Sequence, residues 1–312
     1  MIEDIQKLKD NIQRVFIGKE EAVDMVLVGL FGGGHILIED VPGVGKTILA
    51  RTLARSIHCS FRRIQFTPDL LPTDVIGVSI FNAPRDEFVF KKGPLFANVI
   101  LADEINRTTP RTQSSLLEAM NDCRVSVDGV SHPLPSPFMV IATQNPFEFT
   151  GTFPLPESQL DRFLLRLHIG YPKWDDEKRV LYSQKIKHPF DSLPSVMSSD
   201  RVLEIQQRVR EVKLDETITD YILAIAEETR NSDKLEIGVS PRGNLSLFRA
   251  AQALALIEGR NYCVPDDVKR LAVPVLAHRV VDKVSGGTGP GIEAVRIVTA
   301  IRDRVTAKMA WA

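Results

Sequence analysis

The stretch His35-Ile-Leu-Ile-Glu-Asp-Val-Pro-Gly-Val-Gly-Lys-Thr47 constrains this chain more than any other part of it. A short apolar run enters a loop carrying Gly43 and Gly45, the loop closes on Lys46-Thr47, and the segment Ile48-Leu-Ala-Arg-Thr-Leu-Ala-Arg-Ser-Ile57 follows with apolar residues at helical spacing. Strand, glycine-bearing loop and helix in that order make a nucleoside-triphosphate phosphate cradle. Backbone N–H groups of the loop and the helix N-terminus converge on phosphate oxygens, Lys46 reaches the outer phosphates, and the Thr47 hydroxyl can ligate Mg²⁺. Asp40 occupies the loop entrance, where the pattern usually has glycine, so its carboxylate must point away from bound phosphate.

Apolar runs at 35–38, 61–66, 99–102, 138–142 and 164–169 alternate with helical segments, the pattern of an α/β layer fold around a mostly buried parallel sheet. Two further segments read as projecting hairpins. Arg124-Val-Ser-Val-Asp-Gly-Val-Ser-His132 alternates around an Asp128-Gly129 turn, and the stretch 78–90 has strand-like flanks around a polar tip. After Tyr171-Pro172 the period changes to helical, over 175–185, 201–212, 218–230, 241–258 and 266–278. The expected organisation is an α/β domain over 1–172 and a smaller all-α domain over 173–312, with a glycine-rich linker at 285–291 before a last helix.

Three strand or helix ends carry further chemistry. Asn98-Val-Ile-Leu-Ala-Asp103-Glu104 ends an apolar strand in adjacent carboxylates, whose mutual repulsion is relieved by a cation or a polarised water. Downstream of a phosphate loop, Asp103 would hold Mg²⁺ through water and Glu104 would orient and deprotonate the attacking water. Asn145, at the polar end of the strand at 138–142, serves either the γ-phosphate and lytic water or the turn that Asn-Pro favours. Ser240-Pro241 reads as a helix N-cap and first position, which puts Arg242 in a first turn where a cation opposes the helix dipole. Either a bound phosphate or a nearby carboxylate would offset that cost. Arg162 falls in the final turn of a short helix expected within 156–163 and either favours that helix's dipole or reaches a neighbouring subunit's nucleotide.

The 312 residues, 44% hydrophobic, supply a core for each domain, and a formal net charge of -1 gives no global attraction to nucleic acid or anionic membrane. Cys59, Cys123 and Cys263 fit no metal-ligand spacing and suit a reducing compartment. Neither a signal peptide nor a membrane span is expected, and the expected location is the cytoplasm.

Five stretches, Gln65-Phe-Thr-Pro-Asp-Leu-Leu-Pro72, Gly93-Pro-Leu-Phe-Ala-Asn98, Ala102-Asp-Glu-Ile-Asn-Arg107, Gln113-Ser-Ser-Leu-Leu-Glu-Ala-Met120 and Leu155-Pro-Glu-Ser-Gln-Leu-Asp-Arg-Phe163, together resemble the MoxR branch of AAA+ ATPases. The resemblance covers nearly the whole chain. It implies a P-loop NTPase core with a five-stranded parallel sheet and an all-α lid. It also implies that Pro42, Gly43, Val44, Gly45, Lys46, Thr47 and Ile48 hold ATP in Walker A, with Asp103 and Glu104 in Walker B and Thr47 and Asp103 on Mg²⁺. Asn145 matches sensor 1, Arg162 the arginine finger and Arg242 sensor 2, while Ile17 and Gly18 would line the adenine pocket between the domains. The hairpins become the helix-2 insert and the pre-sensor-1 hairpin. Proteins of this branch look like ring-forming, often hexameric, chaperone-like ATPases that act with von Willebrand factor A domain partners on protein clients. A nucleic-acid motor is the alternative, with Arg62, Arg63, Lys91 and Lys92 as its local basic residues.

Overall fold

All five apolar runs become strands of one parallel sheet: β1 (His35–Glu39), β2 (Phe61–Gln65), β3 (Val99–Asp103), β4 (Met139–Gln144) and β5 (Phe163–Leu167), in the spatial order β2-β3-β4-β1-β5. The computed structural model describes residues 1–84, 86–146, 151–183, 188–284 and 291–308. Arg85 in the first hairpin tip, residues 184–185 of the first expected lid helix and residues 285–290 of the expected linker lie outside the described residues. Parallel strands need crossovers, and these place helices on both faces, so the inner strands β1, β3 and β4 are apolar on both sides rather than alternating, while the edge strand β2 exposes Arg62 and Arg63. Ile36, Ile38, Leu101, Ile141 and Leu165 face one layer, with the helices Ile2–Gln13, Glu20–Phe31 and Lys46–Ser56. Leu37, Ile100, Ala102, Val140 and Phe163 face the other, against the helix Pro110–Asp122.

Helix Glu20–Phe31 is buried from Ala22 to Phe31, as expected of a helix that is hydrophobic nearly all round. It lies between the sheet and the helical second part of the chain, and its one buried acid, Asp24, is paired with Lys9 (2.6 Å) and with Arg270 (3.0 Å). That second part comprises Trp174–Ser183, Ser199–Val209, Glu216–Arg230, Pro241–Ile257, Pro265–Leu276 and Ile292–Lys308. It also contains a two-stranded antiparallel pair, Leu235–Ile237 with Val281–Asp282, too short for any period to reveal in sequence. Arg279 seats it on the sheet, donating from Nη2 to the Phe163 carbonyl (2.7 Å) and from Nε to Asp161 Oδ1 (2.8 Å). Burial pulls the Arg279 pKa down to about 10, against the opposing pull of Asp161. Among the described residues no helix is long and apolar enough to cross a membrane.

Both expected hairpins form. Arg124–Val127 pairs with Val130–Pro133 through Asp128 and Gly129, both at positive φ (51° and 77°), the geometry an Asp-Gly turn provides. Gly77–Asn82 pairs with Glu87–Lys92, and the two hairpins touch: Ser79 Oγ donates to Asp128 Oδ2 at 2.5 Å, and the Phe90 and His132 rings stack at 4.4 Å.

His35, buried at the start of β1, donates from Nε2 to the Met120 carbonyl (2.9 Å) and accepts the Val140 N–H at Nδ1 (3.0 Å), an arrangement only the neutral ring satisfies. Burial lowers its pKa to about 4 from the ordinary 6.5. The unfolded chain therefore takes up this proton near the ordinary value and the folded chain only near the depressed one. Stability falls as pH drops through that window, by roughly 3 kcal/mol from this group. Urea denaturation at pH 7 and pH 5 should show the loss, and His35→Gln, which keeps a donor and an acceptor but cannot titrate, should flatten the slope by about one proton. An unchanged slope in that variant would refute the assignment.

Candidate nucleotide site

The loop leaves the carboxyl end of β1 and opens the helix Lys46–Ser56 directly. Gly43 and Gly45 have φ of 88° and 92°, in the left-handed region that favours glycine. At Gly45 a Cβ would also come within 3.0 Å of the Phe16 ring, so Phe16 packs against the loop itself. Next to it, Ile17 and Gly18 line a cavity of about 670 Å³, closed on the far side by Val273, Pro274 and Ala277 of the helical part. The volume is in the range of small-ligand pockets.

Asp40 points away from the loop. Its Oδ2 accepts the N–H groups of Ile169 (2.7 Å) and Gly170 (2.6 Å), and its Oδ1 accepts the Val41 N–H (2.9 Å). The acid thus ties the loop entrance to the segment following β5. Lys46 Nζ donates to the Asp40 carbonyl oxygen at 2.7 Å. Burial lowers the Lys46 pKa, while the carboxylates of Asp40, Asp103 and Glu104 act the other way, so these acids and the lysine share one field.

Parallel register carries the ends of β2, β3 and β4 to the same edge: Gln65 lies opposite Asp103, and Ala102 opposite Ala142. Thr143 links the two carboxylate residues, donating from Oγ1 to Asp103 Oδ1 (2.6 Å) and accepting the Glu104 N–H (2.9 Å). Glu104 has φ 56°, uncommon for a residue with a side chain and a form of strain found at functional sites. Its Oε2 accepts from Gln65 Nε2 (2.7 Å) and from Arg107 Nη1 (3.0 Å). Arg63 reaches Asp103 Oδ2 with Nε (2.9 Å) and Nη2 (2.5 Å), so one of the basic residues weighed for nucleic acid is committed within the site. Asn145 follows β4 and is buried at this edge. The residues that would hold Mg²⁺, Thr47 and Asp103, offer hard oxygens. Mg²⁺ is usually held by one or two carboxylates plus substrate phosphates.

Arg162 and Arg242 do not join that edge. They line a groove with Gly32, Gly33, Gly34 and His35, at the amino end of β1, while the phosphate loop leaves the carboxyl end. A five-residue strand separates the two by about 15 Å. One crevice between body and lid therefore does not gather all the expected residues. Arg162 lies past the short helix Glu157–Leu160 and donates from Nη1 to the Leu117 carbonyl (2.6 Å), its Nε buried with no hydrogen bond among the described residues. Ser240 caps Pro241–Ile257 as expected, accepting the Gly243 N–H at 3.2 Å. Arg242, in that first turn, donates to Asn121 Oδ1 (2.8 Å) and stands 3.7 Å from Asp161 Oδ2. Asp161 bridges Arg242 and Arg279, a role the sequence did not signal. Arg63, Gln65, Thr143 and Arg107 were likewise unmarked as site residues; the period-two spacing of Arg63 and Gln65 on a strand beside Asp103 was the available clue.

The sheet, phosphate loop, paired carboxylates and helical lid define the class, an AAA+ ATPase. Residues 35–165 match the model of the ATPase family associated with various cellular activities, and residues 227–301 match the AAA lid domain. YeaC of Bacillus subtilis is 48% identical over 96% of this chain and 93% of its own. The chaperone MoxR1 of Mycobacterium tuberculosis is 39% identical over 93% of this chain and 80% of its own. A crystal structure from Cytophaga hutchinsonii, described as a candidate ATPase, superposes with a TM-score of 0.88 at 37% identity, covering 96% of this chain and 93% of that one. The chain belongs to the MoxR family of AAA+ ATPases.

Replacing Asp40 by Ala removes the acceptor of two amides held behind the phosphate loop. The expected loss is about 2–4 kcal/mol, with Asp40→Asn costing less because it retains one acceptor oxygen. Equal stability of wild type and Asp40→Ala in urea would contradict this account of the loop entrance.

Proposed function

We propose that this chain hydrolyses ATP to ADP and phosphate and, as a ring of identical subunits, uses the cycle to remodel protein clients, with a von Willebrand factor A domain protein as partner. Residues 1–172 form the nucleotide-binding part and 173–312 the lid. Lys46 exchanges the Asp40 carbonyl for phosphate oxygens, and the N–H groups of 43–48 bind the phosphates behind it. Ile17 and Gly18 receive the base. Thr47 and Asp103 hold Mg²⁺, which neutralises developing phosphate charge. Glu104 accepts a proton from the attacking water, and Asn145 orients that water or the γ-phosphate. Arg162 and Arg242 stabilise transition-state charge on the nucleotide of an adjacent subunit.

The observation that carries this reading is the separation of the two sets. Lys46, Asp103 and Glu104 share the carboxyl edge of the sheet, while Arg162 and Arg242 share a groove at the opposite end of β1. A complete catalytic set then needs two copies of the chain. The relatives support a protein client, since one is named a chaperone. Mg²⁺-dependent phosphate release per protomer should rise with protein concentration through the assembly range. Arg162→Ala should lower kcat by about 10³-fold or more, leaving the Kd for a non-hydrolysable ATP analogue within about threefold. A rate per protomer independent of concentration, or an Arg162→Ala enzyme with full turnover, would count against it.

A further inference from the structure

Side chains at 63 and 65 leave β2 on the same face, and the register of β2 with β3 sets Gln65 opposite Asp103. Arg63 is thereby the diagonal neighbour of Asp103, within reach of an arginine. Its Nε and Nη2 both close on one oxygen, Asp103 Oδ2, at 2.9 and 2.5 Å, while the other oxygen accepts the Thr143 hydroxyl at 2.6 Å. Neither carboxylate oxygen is left without a donor. The same Arg63 Nη2 donates to Gln65 Oε1 (2.7 Å), and Gln65 Nε2 donates in turn to Glu104 Oε2 (2.7 Å). Arg63, Gln65 and both acids of the site thus form one chain of hydrogen bonds.

The burial of the pair is lopsided. The Arg63 side chain is 49% exposed and that of Asp103 is 12% exposed. The carboxylate is fixed and poorly hydrated, which makes a counter-charge valuable, whereas the guanidinium stands on a long arm in water and can leave without being desolvated anywhere else. A divalent cation approaching Asp103 Oδ2 meets the guanidinium already seated there, and at contact distance their mutual repulsion is large even with strong screening.

Resting on the assignment of Asp103 to the nucleotide's metal, we infer that Arg63 is a cation place-holder: it neutralises Asp103 until a divalent cation arrives with the nucleotide, and it must be displaced before the metal can engage that carboxylate directly or through its water. Arg63 then sets how tightly the site takes its metal.

The test measures Mn²⁺ binding to the full-length protein saturated with ADP, by electron paramagnetic resonance, for wild type, Arg63→Ala, Arg63→Gln and Arg63→Lys. ADP binding without metal and the circular-dichroism melting curve are the controls. The two neutral variants should bind Mn²⁺ about three- to tenfold more tightly than wild type, and the lysine variant, which keeps the charge, should remain within about twofold of wild type. Unchanged or weaker Mn²⁺ binding in both neutral variants, with native melting curves, overturns the inference while leaving the nucleotide assignment standing. If wild type binds neither ADP nor ADP with Mn²⁺, the nucleotide assignment itself fails, and the place-holder role with it.

Discussion

Parallel alignment of five strands is the constraint on which the rest of the molecule depends. A strand buried on both faces carries its polar groups at its ends, and parallel pairing sends every carboxyl end, that of the edge strand β2 included, to one edge. Glu39-Asp40, Gln65, Asp103-Glu104 and Gln144-Asn145 meet there for that reason. Gathering acids at one edge creates electrostatic repulsion, and the local structure answers it group by group. Amides of 169 and 170 take Asp40, Arg63 and Thr143 take Asp103, and Gln65 and Arg107 take Glu104. Lys46 sits within reach of all three fields.

Besides the loop 168–173 that joins them along the chain, the helical part and this body are held together through a buried helix. Glu20–Phe31 is shared by the two, and the ion pairs of Asp24 tie the first helix of the chain to the lid through Lys9 and Arg270. Arg279 and Asp161 fasten the lid again at the start of β5. The lid is thereby held where the N-terminus of Pro241–Ile257 comes beside Arg162, so the two arginines share a groove on a face of the molecule away from the phosphate loop.

What was legible in the sequence was what is decided locally. Strands, the Asp-Gly hairpin, the Ser240 cap and the phosphate loop depend on neighbours within a few residues, and the structure has them at or near the expected positions. The position of Asp40 was constrained only by exclusion, because its partners at 169 and 170 lie far along the chain. The place of Arg242 was not legible at all: a cap fixes a residue within its helix, but packing of that helix on Glu20–Phe31 decides which end of the sheet it meets. Helix Glu20–Phe31 itself carries little period, since a helix buried on all sides has no polar stripe to betray it. Arg63 was weighed only as a local basic residue for nucleic acid; its spacing from Gln65 on one strand hints at a shared face, but the partner Asp103 comes from pairing with a strand some forty residues away.

The contact between the two hairpins has a mechanical consequence. One hairpin is inserted between β2 and β3 and the other between β3 and β4, so both are rooted in connections that flank the strand ending in Asp103 and Glu104. Clamped by Ser79 on Asp128 and Phe90 on His132, they behave as a single stiff paddle with two roots instead of two independent arms. A load on either tip is then divided between both roots.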